Sequence, residues 1–342
     1  MLQHMKMPRT HFVILAVLCF AVDINDSGKV GPSGPGVYPT SGCPPPVAML
    51  PCVCGGFSII TCSNVTDEKQ LVSVFQQNFT DKGVFGSFFM ENTPIKTIPS
   101  KVFGPVVRFR ELNMDNNSML EIIEEDAFSG LEETANAIYL RNCNIKSANI
   151  FKAVSKLISL TVIHLNDNQL TSVPNHAFEN QELKAVFLQN NRITSIGGRA
   201  FEELRSIVQV DLSNNLISEI TDNAFHLNFE SSDIPAFVLI NNSISDLPLH
   251  AFGELKTPFI LVLNRNRMTS LKQEIFEPLL QFFSQKNAGH LYVEENSFCC
   301  DYRMKWLVEQ KSYFKYISHI ICQDGRNLKD YTVDQLGDCS SL

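Results

Sequence analysis

Beyond its first two dozen residues the sequence contains no apolar run near the roughly twenty residues that a membrane-spanning helix needs. Basic runs are missing as well. The 28 Lys and Arg are outnumbered by 36 Asp and Glu, for a net charge of -8. The clustered cations that release counterions from nucleic acid are therefore absent, and anionic membranes are disfavoured for the same reason. There is no G-x-S-x-G elbow, no phosphate-binding Gly-Lys loop, no H-E-x-x-H and no dinucleotide fingerprint after a strand. Nucleic-acid readers and the commonest enzyme classes are thereby set aside, and no cofactor is expected.

The 342-residue chain opens with Lys6 and Arg9, followed by an apolar run of eleven residues, Phe12 to Val22. That run is too short to span a bilayer but suits a secretory signal, with Cys19 and Ala21 as small residues before a cut after Ala21. Residues 1–21 are thus expected to be a signal peptide, and the mature protein to be secreted, soluble and extracellular. The C-terminus carries no hydrophobic tail of the lipid-anchor type. Residues 22–42 are rich in Gly, Pro and Ser and poor in apolar residues, which predicts a disordered arm. Gly28, Gly31 and Gly34 form too few triplets for a collagen helix.

The ten cysteines are unevenly placed. Cys43, Cys52, Cys54 and Cys62 cluster early, Cys299, Cys300, Cys322 and Cys339 cluster late, and only Cys143 lies between them. Two stapled caps around a repetitive middle would give this layout in an oxidising compartment. Neither cluster has the paired C-x-x-C spacing of a tetrahedral zinc site, so no metal is expected.

Between the clusters one pattern recurs: apolar-x-apolar-x-x-Asn-x-apolar-x-x-apolar, then a Phe four or five residues on. IHLNDNQLTSVPNHAF, residues 163–178, is the clearest copy. The Asn-type position falls at Thr93, Asn117, Cys143, Asn168, Asn191, Asn215, Asn242, Asn266 and Asn296, mostly 23 to 27 residues apart. This is a leucine-rich repeat. Alternation in the apolar triplet makes a short strand with one face inward, and successive turns stack the strands into a parallel sheet. The Asn amide, both donor and acceptor, is expected to satisfy backbone groups that water cannot reach. Cys143 occupies a ladder place that the repeat accepts for Cys. Phe103, Phe128, Phe151, Phe178, Phe201, Phe225, Phe252 and Phe276 share one place in consecutive repeats and are expected to stack as a spine. The fold class is therefore α/β, a leucine-rich repeat solenoid with its sheet on the concave side, a cap at 43–65, repeats over 66–295 and a cap at 296–342.

The early cysteine segment resembles the N-terminal cap of extracellular leucine-rich repeat proteins, which implies pairing of Cys43 with Cys54 and Cys52 with Cys62. NSFCCDYRMKWLVEQ with Cys322 and Cys339 resembles the C-terminal cap, but Cys299 is extra to that pattern and its second expected cysteine falls at Tyr302. A vicinal bridge would strain the backbone. Cys299 and Cys300 are therefore each expected to reach Cys322 or Cys339, with 300–322 and 299–339 as the assumed pairing. Further stretches, CSNVTDEKQLVSVFQ, LEIIEEDAFSG, ISEITDNAF, IFEPLLQFF and CQDGRNL, resemble a secreted arthropod family, that of the leucine-rich, non-catalytic subunit of Oplophorus-luciferin 2-monooxygenase. The resemblance spans nearly the whole mature chain. It implies secretion and the solenoid fold, and in the named complex a separate small subunit performs the oxidation.

Function is expected on the concave sheet, where the residues between the strand apolars form a row: Phe89, Asn113, Tyr139, His164, Phe187, Asp211, Val238, Val262 and Tyr292. Arg141, Asp167, Gln189, Asn190 and Arg265 flank it. Aromatic rings with Arg are common interface anchors, so Tyr139, Arg141, His164, Phe187, Val238, Val262, Arg265 and Tyr292 are the expected partner contacts. A patch covered by a loop or glycan is the alternative. Sequons stand at Asn25, Asn64, Asn78, Asn116 and Asn241, and glycans at Asn116 or Asn241 would shield part of this face. His164 near Asp167, and the acidic group Glu121, Glu124, Glu125 and Asp126, are the nearest approach to catalytic pairs. The first lacks a nucleophile and the second reads as an exposed turn. The sequence thus predicts a secreted module that binds an extracellular protein or glycan. The alternative is a non-catalytic accessory subunit that carries a small secreted oxidase. An enzyme in its own right comes third.

Overall fold

The computed structural model describes residues 43–337, apart from 56, 57, 78, 80–83, 105, 106 and 232. The expected signal peptide and arm, with Asn25, Asn78 and Cys339, lie outside the described residues.

An eleven-stranded sheet runs through the chain. It starts with an antiparallel hairpin, Val53–Gly55 against Ile59–Thr61, and every later pairing is parallel. The parallel strands are Val84–Phe89, Arg108–Asn113, Ala137–Tyr139, Val162–His164, Ala185–Phe187, Gln209–Asp211, Ala236–Val238, Ile260–Val262 and His290–Tyr292. Each contributes its apolar triplet positions to one core, so Ile138, Ile163, Val186, Val210, Phe237, Leu261 and Leu291 are fully buried. Opposite the sheet, two-residue strands and a few helices close each turn. The longest helix among the described residues, Gln273–Lys286, buries Ile275, Phe276, Leu279, Leu280 and Phe283. The described residues include no helix long and apolar enough to cross a membrane.

The ladder holds each coil to the next. The Asn168 amide donates to Leu140 O at 2.7 Å and Leu165 O at 3.1 Å, and its oxygen accepts from Ile145 N at 3.0 Å. Asn117, Asn191, Asn215, Asn242, Asn266 and Asn296 make the corresponding bonds. At Cys143 the thiol takes over the donor half, reaching Met114 O at 3.3 Å. Burial pushes this thiol's pKa up to about 12. The residue before each rung adopts a left-handed backbone: Asn92, Asn116, Asn142, Asp167, Asn190, Asn214, Asn241, Arg265 and Glu295. Asn and Asp tolerate that region best, which explains their excess there.

The spine phenylalanines are buried, but they do not stack as one file. Phe151, Phe178 and Phe201 follow one another at 5.5 and 6.0 Å. Phe201 and Phe225 then meet through Phe237, at 5.4 and 5.3 Å. Phe237 is a strand residue whose ring, larger than the aliphatic side chains at its place in neighbouring repeats, reaches into the spine. At the N-terminal end Phe75, Phe88, Phe103 and Phe109 form a separate cluster, with centroids 5.2 to 6.1 Å apart.

Both ends are closed by disulfides. Cys43–Cys54 and Cys52–Cys62 staple the first hairpin, and Cys300–Cys322 the C-terminal cap. Cys299 is disulfide-bonded too. Its expected partner Cys339 lies outside the described residues. Trp306 on the cap helix Lys305–Glu309 donates its indole N–H to Leu271 O at 3.1 Å, tying the cap to the last repeats.

Replacing Asn168 by Ala orphans the Leu140 carbonyl and the Ile145 amide, while Leu165 O keeps its bond from Asn191, and should cost about 2–4 kcal/mol in chemical unfolding. Cys143 should react with iodoacetamide only after unfolding; rapid labelling of the native protein would contradict its place in the ladder.

Candidate functional site

The expected row exists in register. Phe89 pairs with Asn113, Asn113 with Tyr139, and the pairing continues through His164, Phe187, Asp211, Val238 and Val262 to Tyr292. Parallel strands lie about 4.8 Å apart, so flat side chains in one row meet face to face. Tyr139 and His164 stack at 5.1 Å and 17°, and His164 and Phe187 at 4.4 Å and 15°. His290 and Tyr292, on one strand, make a tilted contact at 4.4 Å.

Exposure is where the structure departs from the sequence reading. Tyr139, Phe187, Asp211, Val238, Val262 and Tyr292 are buried, and only Phe89, Asn113 and His164 of the row are half-buried. Alternation settles which face a side chain takes. It carries no measure of how closely rows crowd on the inside of a curved sheet. A second row, Ala137, Val162, Ala185, Gln209 and Ala236, lies one step back along the same strands and is buried as well. Sequence reading passed over this row because its small residues look featureless.

Exposed charge sits at the strand ends. Arg141 makes a two-point ion pair with buried Asp115, through Nη2 at 2.6 Å and Nε at 2.8 Å, and its guanidinium lies 5.3 Å from the Tyr139 ring centre. Arg265 pairs with Glu295 at 2.9 Å. Asn116 accepts from Asn142 at 3.0 Å, Asn190 donates to Asp167 at 2.9 Å, and Asn241 donates to Asn214 at 2.9 Å. The sequons Asn64, Asn116 and Asn241 are exposed.

The nearest approaches to catalytic pairs have structural partners. His164 is sandwiched between rings, and burial, with a smaller push from the Arg141 charge, lowers its pKa to about 4. Asp167 accepts from Asn166 and Asn190. In the acidic group, Glu121 pairs with Lys146, Glu125 with Lys152 and Asp126 with Lys156, while Glu124 accepts from Ser100 N at 2.7 Å. Among the described residues no group of three His, Cys, Asp or Glu is placed to hold a metal ion.

Comparison with known proteins agrees with the fold. The leucine-rich repeat family model matches residues 158–217 and 181–227. The chain is 25% identical over 319 residues to the non-catalytic subunit of Oplophorus-luciferin 2-monooxygenase from Oplophorus gracilirostris, covering 84% of this chain and 85% of that subunit. It is 28% identical over 181 residues to chicken (Gallus gallus) lumican, covering 53% of this chain and 42% of lumican. Among solved structures, a chain of the Toll–Spatzle complex of Drosophila superposes with a TM-score of 0.50 at 16% identity, covering 80% of this chain and 45% of that one.

Burial also makes a pH prediction. His164 and His290 both hold pKa values near 4, against about 6.5 in an unfolded chain. Their contribution is fully present above pH 6.5 and is lost as pH falls towards 4, by up to about 3 kcal/mol each. Replacing His164 with Gln should shrink the stability loss between pH 7 and pH 5; an unchanged slope in urea titrations at several pH values would contradict the buried, neutral imidazole. Taken together, the register of the sheet, the Asn ladder, the disulfides near both ends and these matches make the chain a leucine-rich repeat solenoid, similar over most of its length to a non-catalytic subunit.

Proposed function

We propose that this protein is a secreted, non-catalytic binding module that holds an extracellular protein on its concave sheet. The observation that carries this reading is the in-register concave row, whose half-buried Phe89, Asn113 and His164 lie beside the exposed guanidinium groups of Arg141 and Arg265 at the strand ends. Such an edge gives a partner half-buried rings and two Arg anchors. Disulfides in the described caps support an oxidising compartment, and with it secretion and occupied sequons. Asn116 and Asn241 are exposed, and a glycan on either would stand at the strand ends, beside the two rows.

A second reading is favoured by the similarity that runs across 84% of this chain and 85% of the luciferin monooxygenase's non-catalytic subunit. In it the partner is a small secreted oxidase, and this chain stabilises or carries it without contributing catalytic groups.

Purification from the secreted fluid under mild, non-reducing conditions, with mass spectrometry of stoichiometric companions, separates the two. A small oxidase in constant ratio is the accessory-subunit outcome, and another protein in constant ratio the general one. Truncating Arg141 or Arg265, exposed at the strand ends, to Ala should weaken that complex at least tenfold, by about 1.4 kcal/mol or more. Leu249→Ala, at an exposed site off the sheet, should leave it unchanged. Equal loss at Leu249 would place the interface elsewhere.

A further inference from the structure

The N-terminal cap presents an exposed apolar face that carries no charge. Pro45, Pro46, Val47, Leu50 and Val53 are exposed. At 81%, Val47 is the most exposed large apolar side chain among the described residues, with Leu50 at 65% and Val53 at 59%. Val47 and Leu50 stand three residues apart, on and just after the short helix Pro46–Met49, and so share one side of it. That helix packs on the strand Val53–Gly55. The strand is the first of the eleven-stranded sheet, and among the described residues no strand lies on its far side.

No Lys, Arg, Asp or Glu occurs between Lys29 and Asp67, the longest charge-free stretch of the sequence. The other cap differs: Asp301, Arg303, Lys305, Glu309, Lys311 and Lys315 stand between Cys300 and Cys322. Single exposed apolar side chains are ordinary. A group of them beside an open strand edge, without the charges that usually guard such edges, marks a contact surface. The disulfides Cys43–Cys54 and Cys52–Cys62 hold this surface in shape, so docking loses little to ordering it.

The charge pattern selects the occupant. An anionic membrane is gripped by cations beside the apolar residues, and this stretch has none. A charged partner would find no counter-charge here. Two copies of the chain, each at -8, repel one another except where that charge is missing. We propose that the N-terminal cap is the seat of a two-fold dimer, in which the caps of two copies meet face to face. A patch that meets its own copy closes after two subunits. The contact uses none of the residues assigned above to the concave-face partner.

Sedimentation equilibrium of the full secreted chain, from about 1 to about 100 µM and at low and high salt, tests the dimer. A monomer–dimer equilibrium is expected, no weaker at high salt, because screening relieves the repulsion and no ion pair is lost. Val47→Asp and Leu50→Gln, at exposed positions where melting should not change, should each weaken it at least about tenfold. Tyr302→Asp, at a site 63% exposed on the other cap, should leave it intact. A monomer throughout the range, growth beyond two copies, a dimer as strong in Val47→Asp, or equal loss in Tyr302→Asp would each overturn the proposal. A monomer that instead floats with phosphatidylcholine vesicles, and releases them on Val47→Asp, would overturn it too and give the patch to a lipid surface. Arg141→Ala should not alter the dimer, so this contact and the concave-face reading fail separately.

Discussion

The coils of this protein bury backbone amides and carbonyls where water cannot reach, and in most repeats one side-chain amide satisfies them. Asn168 shows the arrangement: two carbonyls from two different coils on its nitrogen, one amide N–H on its oxygen. Spacing between rungs fixes the register of the strands, and the register fixes which side chains stand together on the sheet. The row from Phe89 to Tyr292 is thus a consequence of the ladder. The left-handed residue before each rung is the local condition for it, and Asn or Asp usually supplies that at low cost.

A solenoid built this way leaves an apolar cross-section at each end. The disulfides act there. Loops closed over 11 and 10 residues at the N-terminal cap each remove about 3 kcal/mol of unfolded-chain entropy on the loop-closure model. At the other end Cys300–Cys322 and the Trp306 bond to Leu271 hold the cap helix against the last repeats. Satisfied coils and stapled ends leave the sheet rigid, so a partner binding there loses little to ordering the face.

Most of the fold was legible in the sequence because it is written as a period. Ladder, strands and buried phenylalanines recur at fixed offsets, and Cys143 stood out only as a substitution within that frame. The two N-terminal disulfide pairings were expected from a cap-like segment, whereas Cys299 broke the C-terminal pattern and left Cys300–Cys322 as an assumed pairing, which the structure contains. What the period hides is lateral packing. It gives Phe237 a strand position without showing that its ring bridges Phe201 and Phe225. It places Tyr139, Phe187 and Val238 on the concave side without showing how crowded they are. It passes over Gln209 and Gln189, whose unsatisfied amides appear only when neighbouring strands stand side by side.

The central claim is that the sheet, and not the outer wall of the repeats, receives the partner. Hydrogen exchange of the native complex against the free chain tests it most directly. Protection concentrated in the strands from Ala137–Tyr139 to His290–Tyr292 is the predicted result. Protection confined to the outer turns and the helix Gln273–Lys286, with the strands unchanged, would contradict it.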